Sequence, residues 1–374
     1  MTQTTVPRWP STSRIIRAIR HSFGDSAEVE VLSTDHTDRL RPISECSVAG
    51  RVTAAPKTRL AWLDLYRGIA GLVMIEAHVA NTFLATTDWP VKWRVALDYA
   101  NGLVAPAFLF IAGYAHGCGV RRRRSVRTHP GRRLLRLAGI AVLGYALHFP
   151  WKELFAGQWA EAVAVGTRMD ILPCLAASVA TLVLIDRIGH RAAKPVVFVL
   201  MAAAIVATPM LADWSAGPAP IIAIVNQNSG SLFPLFPWAA FVFAGFLSSG
   251  CAASLRGFMP LMAATIAMSL LLRSGSAAPA GAAFFFERLA WIVVLAPVCG
   301  WAAHRWSPAG VLFAGRESLA IYVAHLLLIP PLVVCGLPRM PLAPACALFS
   351  GILAATFGIA WGWRRLAGKM RRAA

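Results

Sequence analysis

The sequence predicts an all-α polytopic membrane protein, a bundle of about ten transmembrane helices. Hydrophobic residues make up 57% and charged residues only 14% of the 374-residue chain, which excludes the two or three soluble domains that its length would allow. Several apolar runs reach the roughly 18 residues that a helix needs to cross a bilayer. Because lipid satisfies no backbone polar group, we expect these runs to form helices.

Residues 1–58 are polar and mixed in charge, and contain no apolar core of a signal peptide. We predict a disordered cytoplasmic tail there, a membrane domain at 59–364 and a basic cytoplasmic tail at 365–374. The segment 217–228 is too short to span and is expected to be re-entrant or interfacial. The ten candidate spans are 60–84, 100–118, 134–150, 170–187, 195–212, 231–249, 257–273, 286–303, 310–331 and 342–363.

The net charge of +19 does not indicate nucleic-acid binding, because the arginines lie between apolar runs. Alternate connecting segments are rich in Lys and Arg, which predicts a multi-pass protein of the cell inner membrane with both termini cytoplasmic. The lipid bilayer is then an expected partner of the protein. The seven cysteines are scattered singly, so no metal site or disulfide framework is expected.

The first span carries four ionisable residues, Asp64, Arg67, Glu76 and His78. A charge at bilayer depth costs at least ~2.5–3.5 kcal/mol on insertion scales, so such residues are candidates for function. Arg67 and His78 share one helix face and lie roughly 16 Å apart along the axis. Asn81 joins that face. The alternative is a structural Asp64–Arg67 pair and a His78 bonded to a carbonyl.

Helix direction sorts the polar residues of the spans into two groups by depth. The inner group forms a basic funnel suited to a phosphorylated ligand, although any cytoplasmic loop collects arginine. Its members include Asp64, Arg67, His116, Arg121 to Arg124, Arg132, Arg133, Arg136, Arg316 and Glu317. The outer group is His78, Asn81, Asn101, His148, Asp170 and His325, and Tyr322 shares a face with His325. His148 and Asp170 could equally be interfacial residues.

The outer histidines suit proton transfer. An imidazole titrates near neutrality, so it can take a proton from a hydroxyl or amine that attacks an acyl carbon. The sequence has no GxSxG elbow, P-loop or HExxH motif. A covalent serine nucleophile is therefore not indicated, while an acyl-histidine stays open.

These motifs resemble a known family. The stretch RLAWLDLYRGIAGLVMIEAH is similar to the first-span motif of transmembrane acyltransferases, above all the bacterial relatives of heparan-α-glucosaminide N-acetyltransferase. The spacing of Arg67 and His78 also resembles that of the acyltransferase-three family. Further similar segments are APAFLFIAGYAHG, DILP, FPWAAFVFAG and GRESLAIYVAH.

The resemblance implies a cytoplasmic acyl-CoA donor, expected to be acetyl-CoA, and a glycan or glycolipid acceptor on the other side. It implies that His78 is the catalytic histidine and that Arg67 helps to hold the donor or the fold. The animal enzymes carry their proposed catalytic histidine in a lumenal loop after the first span, whereas this candidate lies within the helix.

The expected site residues fall into three sets. The catalytic set is His78, Asp64 and Arg67. The substrate-binding set is Asn81, Asn101, Asp170, Tyr322 and His325. The cofactor-binding set, for acyl-CoA, is His116, Arg136, Arg316 and Glu317. The sequence predicts neither the identity of the acceptor nor an oligomeric state.

Two other functions fit the same residues. A transporter or flippase for a glycolipid or small solute would use the buried charges as a relay, and the partial likeness of the first and ninth spans hints at an internal repeat. A non-catalytic membrane partner of glycan synthesis would leave the buried charges unexplained. Binding of acyl-CoA separates the enzyme from the transporter.

Overall fold

A computed structural model describes residues 60–86, 89–122, 130–228, 230–274, 280–306 and 308–372. The predicted disordered tail at 1–58 lies outside these residues, as do Arg123 and Arg124. All named elements of the described residues are helices.

In chain order the helices are α1 Ala61–Phe83, α2 Val91–Asn101, α3 Val104–Arg122, α4 Pro130–Leu147, α5 Trp151–Phe155, α6 Trp159–Gly166, α7 Ile171–Ile185, α8 His190–Leu211, α9 Ala219–Val225, α10 Leu235–Ser248, α11 Leu255–Ser274, α12 Ala280–Arg305, α13 Ala309–Arg316, α14 Ser318–Val334 and α15 Leu342–Arg372. A single 3₁₀ turn, Asp186–Ile188, follows α7.

Length and composition allow six of the described helical segments to cross a membrane, and the pair α13 and α14 could make a seventh. These segments are Val91–Arg121, Ile171–Ile188, Ala192–Leu211, Leu255–Ser274, Gly281–Arg305 and Leu342–Met370. The prediction of an all-α polytopic membrane protein is confirmed. The short α9 falls in the segment that the sequence marked as too short to span.

The ninth predicted span, 310–331, differs from a continuous helix. It is broken at Glu317, whose φ of −104° and ψ of 26° are not helical, and α13 and α14 meet at 88°. Both halves lie against α1. A Cβ at Gly315 would overlap the backbone carbonyl of Asp64, so α13 lies directly on α1. Ala314 of α13 and Ile321 and Ile329 of α14 belong to one hydrophobic core with Ile75 of α1.

Glycine also permits the close contact of α3 with α10. A Cβ at Gly113 would overlap the carbonyl of Val242, and a Cβ at Gly245 would overlap that of Phe110. Small residues let helix backbones meet closely inside a membrane. Two of the segments that carry the family resemblance, APAFLFIAGYAHG and FPWAAFVFAG, thus pack against each other.

The bundle has two ends that matter for function. Trp62 and Tyr114 have ring centroids 5.0 Å apart, so the start of α1 lies beside the C-terminal half of α3; we call this the Asp64 end. His78 and His325 have ring centroids 5.0 Å apart near the other terminus of α1, which we call the His78 end. The helix α7 connects the two ends.

Candidate functional site

Five polar side chains form a contiguous group at the His78 end, which we call the histidine cluster: His78, His148, Asp170, Tyr322 and His325. They come from α1, the residue after α4, the residue before α7, and α14. All five belong to the outer group that helix direction predicted or share a face with one of its members. The structure therefore brings together residues up to 247 positions apart: the His78 ring lies against His325, the His325 ring lies against Tyr322, and Asp170 contacts both Tyr322 and His148.

The two imidazoles are held in the same way. His78 Nδ1 lies 2.8 Å from the carbonyl oxygen of Met74, and His325 Nδ1 lies 2.9 Å from that of Ile321. A carbonyl oxygen only accepts, so Nδ1 of each neutral ring carries the proton and Nε2 carries the lone pair. Each Nε2 is therefore set up to accept a proton or a hydrogen bond.

The two rings differ in exposure. His78 is half-buried, whereas His325 is fully buried at 0% exposure. Its Nε2 has no hydrogen-bond partner among the described residues. An unpaired buried acceptor of this kind costs about 1–3 kcal/mol, so it marks a place where a polar ligand atom would be bound favourably.

Asp170 connects the rest of the cluster. Its carboxylate accepts a hydrogen bond of 2.8 Å from the Tyr322 hydroxyl and lies 3.4 Å from His148 Nδ1. Asp170 stands at the N-cap of α7, yet its side chain makes no capping bond. Aspartate at this position usually caps the helix, which stabilises it by about 1 kcal/mol. Here the carboxylate is directed towards Tyr322 and His148 instead.

Ser231, which sequence reasoning missed, fixes the chain beside Asp170. Its hydroxyl oxygen accepts a 2.9 Å hydrogen bond from the Met169 amide, and the Phe233 amide donates to the Met169 carbonyl at 3.1 Å. Ser231 is 2% exposed. The sequence carried no signal for this contact, because a serine at the first residue of a predicted span is ordinary.

At the Asp64 end, the predicted inner group divides into separate pairs. Asp64 is 7% exposed and accepts a 3.3 Å hydrogen bond from Arg316 Nε, at the bend between α13 and α14. Glu317, at the same bend, lies 3.8 Å from Arg364 of α15. The bend is therefore tied by charges to both α1 and α15.

His116 forms a different pair. Its Nε2 lies 2.8 Å from a carboxylate oxygen of Asp186, in the 3₁₀ turn after α7, and both side chains are largely buried. Sequence reasoning missed Asp186. The only available signal was an acidic residue among the basic residues that end the fourth span.

Other predicted site residues lie outside these contacts. The side chain of Asn81 is exposed, and its carbonyl accepts from Arg339 at 3.3 Å. Asn101 ends α2, and neither polar atom of its side chain has a partner among the described residues. Arg67 is half-buried on α1, as is Arg136 on α4. Within the described residues, no three His, Cys, Asp or Glu side chains are grouped to hold a metal ion.

The chain matches one family profile, described as heparan-alpha-glucosaminide N-acetyltransferase, catalytic, over residues 59–278. The match covers more than half of the chain and includes His78, His148 and Asp170. Tyr322 and His325 lie beyond it, so the histidine cluster joins matched and unmatched parts of the sequence. A search of curated proteins found no match.

Proposed function

Because the chain belongs to the family of heparan-α-glucosaminide N-acetyltransferase catalytic domains, we propose that it is a membrane-embedded acyltransferase with His78 as general base. The donor is a cytoplasmic acyl-CoA, with acetyl-CoA the expected one. The acceptor is a hydroxyl or amine of a glycan or glycolipid on the outer side of the inner membrane.

The tautomer of His78 carries this proposal. The hydrogen bond from Nδ1 to the Met74 carbonyl leaves the Nε2 lone pair free beside a buried second imidazole. General-base catalysis needs a lone pair of this kind within reach of the attacking group. The unpartnered Nε2 of His325 supports a role in binding, since it can accept a hydrogen bond from the same attacking group.

The reaction is a direct transfer. The acceptor nitrogen or oxygen attacks the thioester carbonyl and forms a new C–N or C–O bond, while its proton passes to His78 Nε2. The C–S bond breaks, and the proton returns from the imidazole to the departing thiolate, which leaves as CoA. The Tyr322–Asp170 bond holds α14, and with it His325, in place against α7.

The length of α1 suits a donor that enters from the Asp64 end. Asp64 and His78 are 14 residues apart, roughly 21 Å at the rise of an α-helix. The pantetheine arm of CoA would follow α1 from the polar end towards the histidine cluster. In this proposal Arg316, Glu317, His116 and Arg136 contribute to donor binding, Asp64 and Arg67 support the donor path along α1, and Asn81 and Asn101 contact the acceptor.

Acetyl transfer in proteoliposomes tests the proposal, with labelled acetyl-CoA and a panel of amino sugars and glycolipids. His78→Ala should lower the rate by about 10²–10⁴-fold, the usual contribution of a general base. His304, an exposed histidine at the end of α12, gives the matched control: His304→Ala should keep the wild-type rate. Full activity of His78→Ala would remove His78 from the mechanism.

One observation favours the transporter or flippase as a second candidate. The pair α13 and α14 is broken at 88°, and discontinuous helices are common at the substrate sites of transporters. A transporter needs no acyl donor. Substrate flux into proteoliposomes without acetyl-CoA, in the absence of any acetyl transfer, would favour this function over the enzyme.

A further inference from the structure

A second group of polar side chains lies at the Asp64 end, and some of its members have no role in the proposed reaction. We call it the Asp186 cluster: His116, Arg121, Asp186, Lys194 and Ser249. These residues come from the end of α3, the 3₁₀ turn after α7, the first turns of α8 and the residue that ends α10. Four separate elements therefore meet here.

Two polar atoms of the Asp186 cluster are buried without partners. His116 Nε2 bonds one carboxylate oxygen of Asp186 at 2.8 Å, but the other oxygen, Oδ1, has no hydrogen-bond partner among the described residues. The same is true of the hydroxyl of Ser249, a residue that is 2% exposed. Each unpaired group costs about 1–3 kcal/mol of desolvation, which a ligand with matching hydrogen bonds would recover.

The two atoms lie beside the same turn of α3. A Cβ at Gly117, the residue after His116, would overlap the side chain of Ser249. Ser249 is thus packed against the turn that also presents His116 to Asp186. The carboxylate oxygen accepts only, and the hydroxyl can donate or accept. Together they suit a ligand with hydroxyl or amino groups.

Two cations flank this position. Arg121 Nη1 donates to the Ser249 carbonyl at 2.8 Å, and the guanidinium and the Lys194 side chain are exposed. Both cations act on Cys251 in the loop after α10: burial raises the pKa of the Cys251 thiol, and the charges of Lys194 and Arg121 oppose that rise. Exposed cations beside buried acceptors are an arrangement that binds phosphate and hydroxyl groups of one molecule.

We propose that the Asp186 cluster binds the nucleotide end of the acyl-CoA donor. Asp186 Oδ1 and the Ser249 hydroxyl bond the ribose hydroxyl or the adenine amine, and Arg121 and Lys194 bind the phosphates. A free phosphate is a poorer ligand, because the Asp186 carboxylate would repel it. This assignment rests on the proposed acyltransferase function and adds Asp186, Ser249, Arg121 and Lys194 to the predicted donor residue His116.

Two acyl donors distinguish a residue that binds the nucleotide from a residue that only supports the fold. Acetyl-CoA carries the nucleotide, and acetyl-pantetheine carries only the arm and the thioester. Asp186→Asn should raise the KM for acetyl-CoA about tenfold, the effect of one lost hydrogen bond to a charged group, with kcat unchanged. The KM for acetyl-pantetheine should stay at its wild-type value. Asp213→Asn, a change at an exposed aspartate after α8, is the matched control and should alter neither donor.

Ser249→Ala gives a second variant that should fold. It removes a hydroxyl that has no hydrogen-bond partner among the described residues, so we expect no loss of thermal stability and a several-fold higher KM for acetyl-CoA alone. If either variant affects the two donors equally, its residue supports the fold and the assignment is wrong.

Direct binding separates this assignment from the proposed function. Titration of adenosine 3′,5′-bisphosphate into the detergent-solubilised protein should show weaker binding to Asp186→Asn than to wild type. If wild type transfers no acetyl group but this difference remains, the acyltransferase proposal fails and the nucleotide site stands. Equal binding to both proteins, or none to wild type, overturns the nucleotide site whatever the activity.

Discussion

The hydrogen bond between Tyr322 and Asp170 should couple α14 to the start of α7 with a measurable free energy. Tyr322→Phe removes the donor, and Asp170→Asn removes the charge of the acceptor. Both residues are nearly buried, at 8% and 9% exposure, and the bond is 2.8 Å long. Hydrogen bonds to charged groups contribute about 1.5–3 kcal/mol, while those between helices in membranes reach at most about 1.7 kcal/mol.

The two ranges overlap only between about 1.5 and 1.7 kcal/mol, so a double-mutant cycle should give a coupling free energy of about 1.5 kcal/mol. Unfolding of the four proteins in mixed detergent micelles, with denaturing detergent as the variable, measures it. The ion pair of Arg273 and Glu287 provides a control cycle, because it is just as short at 2.8 Å but the arginine side chain is 58% exposed. Solvent screening should reduce that coupling to roughly 0.2–1 kcal/mol, falling with salt.

A coupling below about 0.5 kcal/mol for Tyr322 and Asp170 would be indistinguishable from additivity. Such a result would refute the argument that Asp170 gives up its capping bond to hold Tyr322. It would also weaken the proposal that this contact positions α14 and His325.

Two further predictions test packing and topology. Gly113→Ala should lower the thermal stability, because its new Cβ would overlap the Val242 carbonyl. Gly351→Ala has open space around it and should leave the stability unchanged or raise it by up to about 1 kcal/mol. Equal melting temperatures of the two variants would contradict the close contact of α3 with α10. In a Cys346→Ser background, which removes the other exposed cysteine of the described residues, Cys335 at the end of α14 should react in intact spheroplasts with a membrane-impermeant maleimide, and the further change Cys335→Ser should remove that labelling. Labelling only after lysis would place the His78 end on the cytoplasmic side.

Much of the histidine cluster could be predicted because helix geometry is local. Residues three and four apart share a face whatever surrounds them, so Tyr322 and His325 belong together on sequence alone. The same rule placed Asn81 with His78, yet the side chain of Asn81 is exposed near the end of α1. Periodicity gives the face of a helix, but not where neighbouring elements cover it.

The contacts between helices could not be predicted. Asp64 bonds Arg316 across 252 positions, and Asp170 bonds Tyr322 across 152. These pairs depend on how each helix is rotated and how closely its neighbours approach, which glycines such as Gly315 decide through backbone contact. The bend at Glu317 also depends on tertiary packing, because α14 packs on α15 while both halves keep their contact with α1.

Composition and hydropathy alone determined that this protein is a helical membrane protein with ionisable side chains in its spans, because the cost of burying a charge or an unpaired backbone group in lipid applies to any sequence. The tertiary structure alone decided which of those side chains meet. Asp170 contacts Tyr322, Asp186 contacts His116, and Arg316 contacts Asp64. These pairings follow from the register between helices, which packing along their whole length determines.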